Sequence, residues 1–369
     1  MFRASPRRAP LLAVAGLAAL SLMVAACSSS KKASTSNTTT GSGTATTTAK
    51  LAPATINGSG STFQQAFNQD VIQQFMQANP GVTVTYAGGG SGKGLTDLQS
   101  KLVDYAGTDA PIPTADLPKY GGAQAILYFP TVAAPITLSY NVPGLTKLTL
   151  TAPTIAGIFS GKITTWNDPA IAADNSGVSL PSTKITPVHR SDSSGTTNNF
   201  TLYLTKAAPA DWPLGTGKTV NWTTGLTGNG NGGVAQAVKS TSGAIGYVDY
   251  SDAKASGLNL ASVKNAAGKA QAPSLAGASA AIATATINPD LTYDPINAPG
   301  PDAYPITSPT WIVIYTQQTD QAKGQALKGF LNFILTTGQK DIATQDDFAP
   351  LSPQLQQKAQ AQLSQIVIP

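Results

Sequence analysis

The sequence predicts an α/β protein built on a mostly parallel sheet. Short β-branched runs alternate with apolar periods of helical spacing from residue 54 onward. Glycine- and hydroxyl-rich turns sit where strand gives way to helix. The chain has 369 residues, 41% of them apolar. That is more than one core of ~250–300 residues holds, and too apolar for general disorder.

The elements follow in order. Residues 54–57 read as a short strand ending at Gly58, and 59–62 as the turn into a helix over 63–77. In that helix Phe63, Phe67, Val71, Ile72 and Phe75 share one face, and Asn79-Pro80-Gly81 stops it. Residues 82–86 form a β-branched strand, the glycine run 88–94 follows, and 95–102 read as a helix. Residues 104–109 are a third strand, closed by a turn at Pro111. Further on, 185–190 is a strand, 191–197 a turn and 198–205 helical. Residues 243–248 are a glycine-spaced strand and 311–315 a buried one. Residues 322–335 form an amphipathic helix with Leu327, Phe330, Leu331 and Ile334 on one face. Residues 261–303, rich in Ala, Pro and Asn, match no element, and no internal repeat is evident.

Ahead of this body lies an address. Arg3, Arg7 and Arg8 precede an apolar run over 11–26, too short for a membrane span of about 20 residues but suited to a secretory signal. The run ends Val24-Ala25-Ala26-Cys27, similar to a bacterial lipobox, and Cys27 is the only cysteine. Residues 1–26 are therefore expected to be a lipoprotein signal peptide and Cys27 the lipidated mature terminus. Residues 27–50, rich in Ser and Thr with no aromatic, read as a tether. The same composition suits an O-glycosylated stalk. The expected location is the extracytoplasmic face of the cell membrane.

Composition excludes several chemistries. One Cys and one His, His189, cannot build a usual zinc site. All 18 acidic residues are Asp, so no Glu acid or nucleophile exists. The basic balance belongs largely to the signal: without residues 1–26 the net charge falls from +5 to +2, which is no argument for nucleic acid. A Walker motif fails around Gly92-Lys93, because Ala87 stands at the first glycine and Gly94 at the Ser/Thr.

What remains is three hydroxyl–glycine turns, each between a strand and a helix. They are Gly58-Ser59-Gly60-Ser61-Thr62, Gly88-Gly89-Gly90-Ser91-Gly92 and Ser191-Asp192-Ser193-Ser194-Gly195-Thr196. Helix N-termini offer unpaired N–H groups and partial positive charge, and hydroxyls add donors, so three together suggest an oxyanion cradle. One such turn alone is ordinary capping. Arg190, the only arginine after the signal, suits bidentate oxyanion binding, with Asp192 placed to orient it. His189 reads as structural, since no nucleophile elbow surrounds Ser194. Asp109 would only accept hydrogen bonds, so beside an oxyanion it demands a ligand that still carries a proton. Phosphate near neutral pH has one; sulfate does not.

From about Ile56 to Leu351 the chain resembles the phosphate-binding proteins of bacterial ABC-type phosphate importers, the PstS family. The resemblance rests on Gly58–Phe63 as Gly-Ser-Gly-Ser-Thr-Phe, on Gly90-Ser91-Gly92, on Thr108-Asp109-Ala110-Pro111 and on Phe129-Pro130-Thr131-Val132. It continues through residues 158–166, His189 to Thr196, and Gly243-Ala244-Ile245-Gly246-Tyr247. It implies a two-lobed periplasmic-binding-protein fold, each lobe a mixed, mostly parallel sheet flanked by helices. Hinge crossings are expected near Asn141 and 304–309, giving lobe I as 51–141 plus 306–369 and lobe II as 142–305. It further implies that Ser61, Thr62, Phe63, Ser91, Asp109, Arg190, Ser194, Gly195 and Thr196 bind inorganic phosphate, with Asp192 orienting Arg190. Many members carry a second Ser or Thr where Gly92 stands. The implied partners are phosphate and the permease subunits of an ABC importer, with the membrane reached through Cys27. No cofactor, metal, nucleic acid or enzymatic activity is expected. The competing readings are a binding protein for another oxyanion, an extracytoplasmic phosphatase on the same cradle, and a surface adhesin or sensor.

Overall fold

The computed structural model describes residues 50–369, so the signal, Cys27 and the tether through residue 49 lie outside the described residues. β1 (Ala54–Gly60), α1 (Gln65–Ala78), β2 (Val82–Gly88), α2 (Ser91–Gln99) and β3 (Tyr105–Thr108) form two strand–turn–helix units and a third strand. β4 (Ile126–Asn141), β5 (Thr149–Leu150), α3 (Ala152–Phe159) and α4 (Pro169–Asp174) follow. The alternation then resumes with β6 (Thr186–Arg190), α5 (Gly195–Ala207), β7 (Leu226–Gly228), α6 (Gly230–Ser240), β8 (Ala244–Asp249) and α7 (Tyr250–Ala255). β9 (Asn259–Leu260), β10 (Ser262–Lys264), β11 (Ala270–Gln271) and α8 (Leu275–Ala283) fall in or beside the stretch that matched no element. β12 (Thr307–Tyr315), α9 (Gln321–Phe333), a π-helical continuation Ile334–Ile342 and α10 (Pro353–Gln362) complete the chain.

The main sheet runs β2-β1-β3-β12-β4-β8-β6-β7, with β9 beside β4. β1 pairs parallel with β2 and β3, and β6 pairs parallel with β7 and β8. Two antiparallel strands join these groups. β12 lies between β3 and β4, while β4 pairs with β12 from Ile126 to Pro135 and with β8 from Ile136 to Asn141. The result is a curled mixed sheet in two lobes with flanking helices. The partner change falls between Pro135 and Ile136, ahead of Asn141, where the sequence places the first crossing. Proline has no N–H to donate to a ladder, so Pro135 suits the point where one ladder ends.

Burial explains the strand sequences. β4 is buried along its length except at Asn141, and β12 except at Tyr315. Both therefore read as near-continuous apolar or hydroxyl runs rather than alternations. The helix faces are as the periodicity predicts: Phe67, Val71, Ile72 and Phe75 of α1 are buried, as are Leu327, Phe330 and Leu331 of α9. Phe330 meets the Phe75 ring edge-on at 5.3 Å and the Tyr105 ring at 5.6 Å. α1 begins at Gln65 rather than 63, so Phe63 lies just ahead of it, and two other helices start three or more residues earlier than the sequence reading. α2 begins at Ser91 rather than 95, and α5 at Gly195 rather than 198. Their glycine-rich first turns are helical because they pack at the centre of the molecule, and tertiary contact outweighs weak propensity.

Phe330→Ala is expected to lower unfolding stability by about 3–5 kcal/mol through a cavity at this aromatic junction. Denaturant titration, read as a shift in midpoint at unchanged slope, checks it.

Candidate functional site

The C-terminal ends of the parallel strands point at one cleft, the place where open α/β sheets bind ligands. The turn after β1 leads into α1, that after β2 into α2, that after β6 into α5 and that after β7 into α6. The β3 end supplies Asp109. Four helix N-termini thus converge, one more than the sequence motifs indicate.

Contacts bring most of the expected residues together. The Ser91 hydroxyl accepts from Asp109 N–H at 3.2 Å and lies 3.5 Å from Asp109 Oδ2. Gly195 faces the same carboxylate: a Cβ there would stand 2.4 Å from Ser91 Oγ and 2.6 Å from Asp109 Oδ2, so only glycine admits this approach. Gly92 abuts Ser193 as closely, where a Cβ would stand 2.1 Å from Ser193 Oγ. A larger Ser or Thr at residue 92 would collide there. Gly92 N–H donates to Ser193 O at 2.9 Å, joining the second turn to the third.

Arg190 is 4% exposed. Its Nε donates to Asp192 Oδ1 at 2.7 Å, Nη2 donates to Oδ2, and Nη1 donates to Thr196 Oγ1 at 3.2 Å. Asp192 Oδ1 also accepts Gly230 N–H at 3.0 Å. Burial alone would raise the Asp192 carboxyl, but Arg190 and the Gly230 N–H outweigh it and hold it below the usual carboxylate range. Asp192 thus grips Arg190 through both carboxylate oxygens.

Other expected residues carry local duties as well. Ser61 Oγ accepts Phe63 N–H at 3.0 Å. The Phe63 ring lies in the core near Phe348, so only its backbone belongs to the cleft. Ser194 caps α5, its hydroxyl accepting Thr197 N–H at 3.1 Å. Thr62 is half-buried and its Oγ1 accepts from Asn231. Cys27 is outside the described residues. His189 stacks on Trp222 with ring centres 4.8 Å apart, and no serine hydroxyl is bonded to its ring.

Asp109 is the electrostatic oddity. Its Oδ1 is buried with no hydrogen-bond partner. Burial pushes its carboxyl up to about 7, against the pull of the Ser61 hydroxyl, Arg190, Lys218 and the Ser91 hydroxyl. An anion cradle with a half-neutral carboxyl in its wall can donate many hydrogen bonds and accept one.

Three contributors escaped the sequence motifs. Asn231 bridges Thr62 and Thr196. Asn199 Nδ2 donates to Asp109 O at 2.7 Å and to Ser308 Oγ at 2.8 Å, holding the β3 end against α5 and β12. Lys218, whose ammonium burial disfavours, contributes a positive potential at Asp109. Asn231 had a usable signal, a small polar turn followed by the apolar spacing Val234, Ala235, Val238. The other two act only through the tertiary fold. No group of three or more His, Cys or Asp side chains suited to a metal occurs among the described residues.

Comparison with known proteins agrees with this architecture. A family model described as a PBP superfamily domain matches residues 32–337. The chain is 38% identical over 298 residues to phosphate-binding protein PstS 3 of Mycobacterium leprae, covering 78% of this chain and 80% of that one. It is 36% identical over 310 residues to phosphate-binding protein PstS of Xylella fastidiosa, covering 83% and 84%. Among solved structures, a high affinity periplasmic phosphate-binding protein (PfluDING) bound with phosphate superposes with a TM-score of 0.68 at 23% identity, over 83% of this chain and 93% of that one.

A carboxyl whose folded pKa exceeds its ordinary 3.8 weakens the folded state wherever the unfolded chain has already ionised. The ligand-free protein therefore loses stability through Asp109 as pH rises from about 4 to about 7, after which the loss is constant. Asp109→Asn is expected to raise stability at pH 8 more than at pH 4.5, by up to about 4 kcal/mol. Denaturant midpoints of both proteins at the two pH values measure it, and equal gains would place this titration elsewhere.

Proposed function

The chain belongs to the PstS family of phosphate-binding proteins, and we propose that it captures inorganic phosphate in this cleft and hands it to the permease of an ABC-type importer. The observation that carries the reading is Asp109, a buried carboxyl with a free acceptor set among donors. Around a tetrahedral oxyanion, the Thr62 N–H and the Ser61 hydroxyl donate from the α1 turn, and the Phe63 N–H, which donates to Ser61 Oγ in this structure, turns to the ligand. Ser91 donates from α2. Arg190, Ser194, Gly195 and Thr196 donate from the other side. Asp109 then accepts the proton that phosphate retains near neutral pH. Fully ionised sulfate offers no proton and meets the carboxylate as a like charge, so the same residue rejects it. This favours phosphate over another oxyanion. A phosphatase would need a nucleophile–base pair, and the engagement of His189 with Trp222 speaks against one.

The lobes, 51–141 plus 306–369 and 142–305, are proposed to move about β4 and the start of β12, closing on the ligand. Residues 1–26 are proposed as a lipoprotein signal, Cys27 as the lipidated anchor and 27–50 as the tether that lets the body reach the permease at the extracytoplasmic face. No helix among the described residues is long and apolar enough to cross a membrane.

Calorimetric titration of the ligand-stripped protein is expected to give tight one-to-one binding of phosphate and none of sulfate. Asp109→Asn is expected to narrow the preference by at least about ten-fold, through loss of one charge-assisted bond and one repulsion. Equal affinity for both anions in the unaltered protein would remove the reading. An unchanged preference in the variant would remove the role of Asp109. Cys27→Ser is expected to shift the protein from the membrane fraction to the soluble fraction of fractionated cells, and retention in the membrane would exclude the lipid anchor.

A further inference from the structure

The α6 N-terminus enters the cleft through Asn231, which is fully buried. Its main-chain N–H donates to Thr62 Oγ1 at 3.1 Å. Its side-chain Nδ2 donates to Thr62 Oγ1 at 3.3 Å and to Thr196 Oγ1 at 3.2 Å. Thr196 Oγ1 also accepts Arg190 Nη1 at 3.2 Å. A threonine hydroxyl has two acceptor positions and one proton. At Thr62 both acceptor positions are taken, by the two nitrogens of Asn231. At Thr196 both are taken, by Asn231 and Arg190. Each hydroxyl is left only its proton to offer.

We infer that Asn231 is a positioning residue that fixes the polarity of the Thr62 and Thr196 hydroxyls, so that both present O–H donors to the bound oxyanion, Thr62 in addition to its main-chain N–H. The inference rests on the phosphate reading above. A free hydroxyl rotor presents a lone pair as readily as a proton, and a lone pair repels an anion. With its acceptor positions filled, the rotor is set before the ligand arrives, and the ordering cost falls outside the binding step. The amide uses both Nδ2 protons for this, while its Oδ1 is buried without a partner. The residue thus serves the site as a double donor. It also joins the turn after β1 to the turn after β7, so the polarity is set by the same contacts that hold the two sides of the cleft together.

The test is a phosphate titration of the full protein with Asn231→Ala, the isosteric Asn231→Asp, and each combined with Thr62→Val and Thr196→Val. Asn231→Ala is expected to weaken phosphate binding by about ten-fold, near the worth of one or two hydrogen bonds. Asn231→Asp is expected to weaken it by at least about a hundred-fold, because a carboxylate captures both O–H protons and adds a negative charge. In the double-valine background, which has no hydroxyls to orient, Asn231→Ala is expected to cost less than about two-fold more. Losses that multiply in that background, or an Asn231→Asp protein that binds as well as Asn231→Ala, would overturn the inference. Thermal unfolding without ligand verifies that each variant folds; should the alanine protein fail, the isosteric aspartate carries the comparison. If the unaltered protein binds no phosphate, the phosphate reading falls and takes this inference with it. If it binds and the losses multiply, the inference alone falls.

Discussion

The Arg190–Asp192 pair anchors the side of the cleft built by β6, α5 and α6. Its side chains are 1% and 9% exposed. Neither charge is stable there alone, since removing one partner of a buried pair leaves an uncompensated charge costing about 3–5 kcal/mol. Through Asp192 the pair fixes Gly230 and hence the start of α6. Through Nη1 it fixes Thr196 and the start of α5. The Arg190 N–H donates to the Tyr247 hydroxyl, which ties the end of β6 to β8. The ion pair therefore ties two helix N-termini together, and the Arg190 main chain ties β6 to β8 beneath them.

The pair also shapes how the cleft treats an anion. Asp192 already matches the arginine charge, and Asp109 is near half-neutral at pH 7. Beside Lys218, the attraction proposed above draws on dipoles: hydroxyls, backbone N–H groups and helix N-termini. Such groups act only at contact distance and in a fixed direction. Selectivity among anions of equal size follows from where donors and the one acceptor point, not from total charge.

Much of this was legible in the sequence, for definable reasons. The helices over α1 and α9 announced themselves through apolar spacing, and β12 through the buried run 311–315, whereas β4, broken by Pro130 and Pro135, did not. Ser91, Asp109 and Arg190 stood out because their residue types are chemically specific and lie in turns beside strands. What escaped was set by tertiary contact. Residues 91–94 and 195–197 look like loop because glycine and serine favour loop, yet they form first helical turns against the cleft. Residues 261–303 hold little regular structure and are pinned from afar, as where Asn265 Nδ2 donates to Ala303 O and Trp311 Nε1 to Leu291 O. Asn199 sits in mid-helix with nothing local to mark its reach to Asp109.

The sheet order has a consequence for how the chain is made. β3 finds its second neighbour only in β12, which is separated from it by most of the chain. Until residues 307–315 emerge, β3 and the first half of β4 both present open ladder edges, the kind of surface that captures other strands. A chain released before that point, or one whose last segment is late, would leave two half-sheets ready to pair with foreign strands. Because so many contacts join distant segments, folding is expected to be slower than in a domain of mostly local contacts. An order of strands that withholds the keystone until last delays closure of the sheet until nearly the whole chain is present.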